Sequence, residues 1–220
     1  MGWGEYALAF GAFFLTHSVP IRPPVRPWLV ARLGHAGFGL IYSALSLGVL
    51  AWLIGAAGRA PYLPLWPWAP WQNHVVLMVM LPVCLILALA IARPNPFSFG
   101  GAQNDRFDPA RPGLMRLTRH PLLLALALWA GAHLLANGDL AHGILFGTFA
   151  GFALLGMRLI DRRRRREMGA DWKQLDAARR HAPPRPISWP GACLRLTLGG
   201  GLYATLLWLH PWLFGVSPLS

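Results

Sequence analysis

Eight histidines lie along the 220 residues of this chain, and they are the side chains best suited to chemistry. A neutral imidazole binds a transition metal through one ring nitrogen, and near neutral pH it also accepts or gives up a proton. His17 ends a stripe in which Tyr6, Phe10 and Phe13 recur at helical spacing. Such a stripe can wall a flat conjugated ligand and offer it an imidazole, although aromatic packing alone would also explain it.

A second histidine, His133, follows Trp129 and precedes Asn137, each at a step of four residues. Residues at this spacing share one helix face, so we expect Asn137 to hydrogen-bond the His133 ring and fix its tautomer. Partners of metal-binding histidines act in this way, whereas a purely structural histidine is the alternative interpretation. His133 and Asn137 are therefore candidate cofactor-binding residues.

Charged residues of both signs flank two apolar segments. Arg119 and His120 come directly before one segment, and Arg158 and Asp161 come at the end of a later one. We expect an ion pair between Arg119 and Asp161, because pairing lowers the cost of charge near a membrane. The cluster can also hold an anionic group such as a propionate, a phosphate or a carboxylate. Anchoring at the membrane interface would explain the arginines without a ligand.

The composition indicates that membrane helices position these residues. Apolar residues make up 55% of the chain, charged residues 13%, and the mean hydropathy is +0.43, whereas a soluble domain carries about 25% charged residues. This excludes an ordinary soluble or disordered protein and predicts an all-α polytopic membrane helix bundle in a single domain, 1–220. The apolar stretches predict about six transmembrane helices, at residues 3–18, 36–58, 74–92, 121–136, 140–160 and 196–214.

The positive charge is distributed unevenly between these spans. Of the 20 Lys and Arg residues, 3, 5 and 11 follow spans one, three and five, and Arg59 alone follows span two. Cytoplasmic loops collect Lys and Arg, so we expect both termini in the periplasm of a bacterial inner membrane. The basic cytoplasmic loops are then expected near 20–35, 93–119 and 161–195. This topology accounts for the net charge of +12 and for the run Arg162 to Arg166, which are then signals of membrane orientation. We therefore expect membrane lipid as a partner and no nucleic acid.

Motifs along nearly the whole chain resemble the NnrU family, which is named for nitrite and nitric oxide reductase regulation. They are Thr16-His17-Ser18, Asn95-Pro96-Phe97-Ser98, Leu117-Thr118-Arg119-His120-Pro121, Trp129-Ala130-Gly131-Ala132-His133-Leu134, Asn137-Gly138 and Asp161-Arg162-Arg163. The family is similar to 15-cis-zeta-carotene isomerases, membrane enzymes that use non-covalent haem b to turn a central cis double bond of a polyene into trans.

The resemblance implies a haem b cofactor, His17 and His133 as iron ligands, and an apolar polyene as substrate. The plant isomerases have a cysteine three residues before the second histidine, where this chain has Ala130. Helix sense gives a different pairing, because it places His17 near the cytoplasmic face and His133 near the outer face. If depth in the membrane decided which histidines share an iron, His133 would pair with His74, and His17 would pair with His120 or His35.

Other functions remain open at this point. The segment from Arg119 through Asp161 to Trp172 is also similar to isoprenylcysteine carboxyl methyltransferases, in which Arg119 and His120 would touch the carboxylate of S-adenosylmethionine. Histidines at both faces also allow a two-haem transmembrane electron relay. A factor linked to nitrite and nitric oxide respiration needs no catalytic residue at all. Gly147 and Gly151 permit close approach of a neighbouring helix, the favoured reading, or of a flat ligand.

Overall fold

The structure, a computed structural model, describes residues 2–219, and this part of the chain is all-helical apart from one isolated bridge between Pro64 and Asp139. The helices are α1 (Trp3–Ser18), α2 (Val25–Arg59), α3 (Pro70–Ala90), α4 (Pro121–Ala136), α5 (Leu140–Met168), α6 (Ala170–His181) and α7 (Trp189–Phe214). Two short 3₁₀ helices, Asn104–Arg106 and Gly113–Arg116, lie between α3 and α4.

The expected membrane helix bundle is confirmed as a fold class. Four helices, α2, α3, α5 and α7, are long and apolar enough to cross a bilayer. Helices α1 and α4 have 16 residues each and coincide with the two shortest predicted spans. Each of the six predicted spans therefore falls on a helix, while the number that cross the membrane, the side of the termini and the single-domain organisation stay predictions.

Two of the basic segments that we expected to be loops are largely helical. Helix α2 already begins at Val25, α5 continues to Met168, and α6 is an additional helix. Hydropathy marks only the residues at membrane depth, whereas Ala, Arg, Leu and Glu favour a helix in water as well. The helices consequently run on past their apolar parts, and the loop assignments were wrong for much of 20–35 and 161–195.

Helix α2 is interrupted at Gly34. Its backbone has φ +70° and ψ 168°, a conformation that residues with a Cβ rarely adopt. The helical stretch that begins at Val25 therefore ends there, and a second stretch continues to Arg59. The interruption separates the arginine-bearing start of α2 from its apolar part.

The chain divides into two compact units, the first comprising Met1–Trp66 and Asp139–Leu145. In this unit α1 packs against α2, with Ala9 and Leu53 fully buried. The Tyr6 hydroxyl donates a hydrogen bond of 2.6 Å to the carbonyl of Ala141. Near the same end of α1, Glu5 forms an ion pair with Arg59.

The second unit comprises Pro67–Gly138 and Phe146–Ser220. Helices α4 and α7 each pack against α3. At Gly199 of α7 the backbones come so close that an added Cβ would lie 3.0 Å from the Leu85 side chain and 3.1 Å from the Cys84 carbonyl oxygen. A larger residue at this position would therefore need α3 to shift by a few tenths of an ångström.

Gly147 and Gly151 of α5 do not serve close packing in this way. A Cβ at Gly147 or Gly151 would meet no heavy atom within 4 Å in the described part of the chain. The expectation that this step packs tightly against a neighbouring helix was therefore wrong.

Candidate functional site

His133 lies near the end of α4 in the second unit, among aromatic rings. Its ring centroid is 5.4 Å from that of Trp129 and 5.3 Å from that of Phe146. Its Nδ1 is 2.9 Å from the carbonyl oxygen of Trp129, one turn earlier. A carbonyl oxygen only accepts, so Nδ1 carries the proton and Nε2 keeps its lone pair. Residues 2–219 provide no hydrogen-bond partner for that Nε2.

The carbonyl of Trp129, and not Asn137, fixes this tautomer. The Asn137 amide donates instead to the backbone carbonyl of His133, at 2.8 Å. Asn137 follows the last residue of α4, and its backbone N–H donates to the same His133 carbonyl at 3.1 Å, so its backbone and its side chain both bond the end of the helix. The predicted hydrogen bond between Asn137 and the imidazole was therefore wrong, although the predicted shared face of Trp129 and His133 is present.

His17 has the same arrangement in the first unit. Its Nδ1 lies 2.8 Å from the carbonyl oxygen of Phe13, and its ring stacks on the Phe13 ring with centroids 4.0 Å apart. The Tyr42 ring contacts it edge-on at 6.2 Å. Nε2 again keeps its lone pair, so His17 and His133 each offer one imidazole nitrogen from an aromatic setting.

These donors suit a cofactor that takes one or two protein ligands. Within residues 2–219, no three His, Cys, Asp or Glu side chains gather closely enough to hold a metal ion. A structural zinc ion needs about four such ligands, whereas a porphyrin supplies most of the iron coordination and leaves axial positions for the protein. The residues present therefore fit axial ligation of a haem iron.

A second cluster joins Arg119, His120 and Asp161 in the second unit. Arg119 binds the Asp161 carboxylate with two nitrogens, and Nε lies 3.0 Å from Oδ1. His120 Nε2 donates to the same Oδ1 at 3.0 Å, while its Nδ1 accepts from the Ser98 hydroxyl at 3.0 Å. Both ring nitrogens of His120 are thus engaged. Burial, together with the nearby charges of Arg119 and Arg179, lowers the pKa of His120 against the opposing effect of Asp161, so the ring is neutral at neutral pH.

The cluster continues into α6. Arg119 Nη1 lies 3.2 Å from Asp176, whose carboxylate also accepts from Arg179 Nε at 2.7 Å. Arg179 in turn donates to the carbonyl oxygens of Met115 and Arg116 at 2.8 and 3.0 Å. The charges and hydrogen-bonding groups of this cluster therefore pair with one another. They connect α6 to the 3₁₀ helix Gly113–Arg116 and to the start of α4.

Comparison with known families identifies the chain. The sequence matches the family described as NnrU protein over residues 6–218, nearly its whole length. The chain belongs to the NnrU family. No curated protein and no solved structure matches it.

In this NnrU protein the predicted site residues fall into three groups. Arg119, His120 and Asp161 come together, and the Arg119–Asp161 pair has the geometry expected from the sequence. His17 and His133 belong to different units, each with its own aromatic neighbours. His74 and Arg158 are exposed and make no side-chain hydrogen bond or ion pair with any residue in 2–219.

Sequence reasoning missed Asp176 and Arg179 of the NnrU chain. Both are buried, and with Trp172 they lie on one face of α6 at steps of four and three residues. This spacing in a segment assigned to a solvated loop was the signal that could have found them. The Trp172 ring is covered by the guanidinium groups of Arg165 at 4.3 Å and Arg119 at 5.2 Å.

Proposed function

We propose that this NnrU-family protein is a multi-pass protein of the bacterial inner membrane that binds haem b, with His133 as an axial ligand. The observation that carries the proposal is the hydrogen bond from His133 Nδ1 to the Trp129 carbonyl. This bond presents the Nε2 lone pair and orients the ring, as a partner of a metal-bound histidine does.

The setting of His133 distinguishes it from His181 and His120. His181 makes the same bond to a carbonyl one turn earlier, but it is exposed on the polar helix α6. His120 has both ring nitrogens engaged. His133 instead combines a lone pair on Nε2 with aromatic neighbours that can pack against a flat macrocycle.

His17 is the second ligand that the family resemblance implies, and its Nδ1 bond to Phe13 supports the same role. The Arg119 cluster is not assigned to a haem propionate, because Arg119 already pairs with Asp161 and Asp176. The same engagement of Arg119 and His120 argues against the methyltransferase alternative, which needs both side chains for the cofactor carboxylate.

The reaction that we propose is cis–trans isomerisation of an apolar polyene. When bound, haem b would supply an iron for a conjugated double bond, which would take the coordination position of one of the two imidazoles. The chain contributes apolar and aromatic surfaces such as the stripe that includes Phe10 and Phe13, which suit a polyene. No sulfur is available at the position where the plant isomerases have cysteine, because Ala130 occupies it and is fully buried.

The test is the visible spectrum of full-length protein purified from haem-replete cells, with haem content measured as pyridine haemochrome. We expect a Soret band in the wild type that is lost or shifted in His133→Ala and in His17→Ala. His181→Ala is the matched control, because its Nδ1 also bonds a carbonyl one turn earlier while its ring is exposed on α6, in the same unit as His133. A folded but colourless wild type, or an unchanged spectrum in His133→Ala, would refute the proposed ligand.

The isomerase step has a separate test. The haem-loaded, reduced protein is incubated with a 15-cis polyene, and the isomers are separated by chromatography. Accumulation of the all-trans product by wild type but not by His133→Ala is the expected result. Haem binding without any conversion of the polyene would support the proposed cofactor and refute the proposed isomerase activity.

A further inference from the structure

A groove in the second unit lies where α3 ends and α7 begins. Its volume is about 320 Å³, and we call it the arginine groove. Three arginines line it, Arg93, Arg116 and Arg185, and no acidic residue does. The rest of its lining is mainly apolar and includes Leu89, Leu114, Leu117, Ile187, Trp189 and Leu196.

The guanidinium groups of the arginine groove lack partners of opposite charge. Arg93 and Arg185 make no side-chain hydrogen bond or ion pair within residues 2–219. Arg116 donates one side-chain hydrogen bond, from Nε to the carbonyl oxygen of Ala182 at 2.7 Å. Burial and the nearby charge of Arg195 both lower the pKa of Arg93, so its environment disfavours the cation unless an anion is near.

The neighbouring cluster shows that this lack of acids is local. Arg119 and Arg179 are each paired with carboxylates, whereas the arginines of the groove are not. Arginine forms a planar fork that suits the oxygens of a phosphate. An anion from outside the chain is therefore the partner that this charge distribution fits.

The apolar lining favours an anion that carries a hydrocarbon part. Trp189 is 72% exposed and Leu117 is 77% exposed beside the arginines. Both helices that border the groove are long and apolar enough to cross a bilayer, so the groove lies at an end of two spans. Cationic and tryptophan side chains mark the level of lipid headgroups at such ends.

We propose that the arginine groove binds an anionic phospholipid, with the phosphate held by Arg93, Arg116 and Arg185. The acyl chain then runs along Leu117, Trp189 and Leu196. A smaller cavity of about 230 Å³ shares Arg93 and Leu114 with the groove and adds Arg106, Arg111 and one acid, Asp108, so its lining also has a net positive charge. The proposal does not depend on the haem, since none of the candidate iron ligands lines either cavity.

The experiment measures lipid binding to the full-length protein in detergent, by native mass spectrometry with added phosphatidylglycerol or phosphatidylcholine. We expect wild type to prefer phosphatidylglycerol, and the double variant Arg93→Gln/Arg185→Gln to lose about fivefold in affinity for each arginine removed. The matched control is Arg162→Gln/Arg166→Gln, which removes the same charge from two exposed arginines outside the groove. It should bind phosphatidylglycerol as wild type does.

Equal losses in the two double variants would overturn the proposal, because they would show attraction by overall charge alone. Inorganic phosphate and glycerol 3-phosphate form the second arm, and neither should displace the lipid at millimolar concentration. If either compound displaces the lipid with an affinity equal to that of the lipid, the occupant is a soluble anion and the proposal is wrong. Trp189→Ala should weaken phosphatidylglycerol while leaving the thermal unfolding of the lipid-free protein unchanged, and an unaltered affinity would contradict the placement of the acyl chain.

Discussion

The charge cluster around Asp161 gives a prediction that can be worked out from its geometry. In Asp161→Asn the side chain keeps its size but loses its charge, so Arg119 loses a bidentate ion pair and the Nε2–H of His120 has only a neutral amide oxygen as acceptor. Removing one partner of a buried ion pair costs about 3–5 kcal/mol. The two side chains keep 18% and 15% of their exposure, and Asp176 still contacts Arg119, so we expect about 2–4 kcal/mol.

The assay is thermal unfolding of the purified protein in detergent. At about 2–4 °C per kcal/mol for a chain of this size, the midpoint should fall by at least about 4 °C. Asp171→Asn is the matched control, because Asp171 is an exposed acid without an ion pair within residues 2–219. Replacing both partners in Arg119→Met/Asp161→Leu should recover part of the loss, since no buried charge is then left unpaired. A midpoint for Asp161→Asn equal to that of Asp171→Asn would refute the structural role of the cluster.

Further predictions concern pH, packing and cofactor choice. The pKa of His120 is lowered from its ordinary value of 6.5, mainly by burial, so the unfolded chain takes up this proton at a higher pH than the folded one. The stability that neutral His120 contributes is therefore present above pH 6.5 and lost as the pH falls below it. In His120→Asn the thermal midpoint should fall less steeply as the pH is lowered. The same slope in wild type and variant would contradict the assignment. Gly199→Ala should destabilise by about 1–3 kcal/mol through overpacking against α3, whereas Gly200→Ala should be tolerated because its Cβ meets no atom within 4 Å; equal midpoints for the two would refute the close approach. Calorimetric titration with S-adenosylmethionine should give no heat, because Arg119 and His120 are engaged; saturable heat would restore the methyltransferase hypothesis.

The apolar parts of the fold were predictable from the sequence because hydropathy reports residues at membrane depth. All six expected spans fall on helices, and α1 and α4 have the expected boundaries. The polar helical parts were not predictable in this way, since the arginine-rich end of α5 and the whole of α6 carry no apolar signal. Gly34 also gives no sign in the sequence that it interrupts α2, because the other glycines of that helix keep helical conformations.

The candidate site was predictable where residues on one helix determine the geometry. Trp129 and His133 share a face as their spacing indicates, and Arg119, just before α4, meets Asp161 of α5 because each borders the apolar part of its helix. The partner of the His133 ring was not predictable, because Trp129 offers a backbone carbonyl that no side-chain pattern records. Asp176 and Arg179 were missed because the segment that carries them was assigned to a loop.

Haem binding through His133 is the central claim, and chemical rescue of the His133→Ala variant tests it most directly. Purified apo-protein of the variant is titrated with haem b in the presence and absence of imidazole, and the Soret band is followed beside wild type and His181→Ala. We expect the variant to bind haem with a wild-type-like band only when imidazole fills the position of the missing side chain. A wild-type-like band in the variant without imidazole, or no haem binding by wild type itself, would contradict the account.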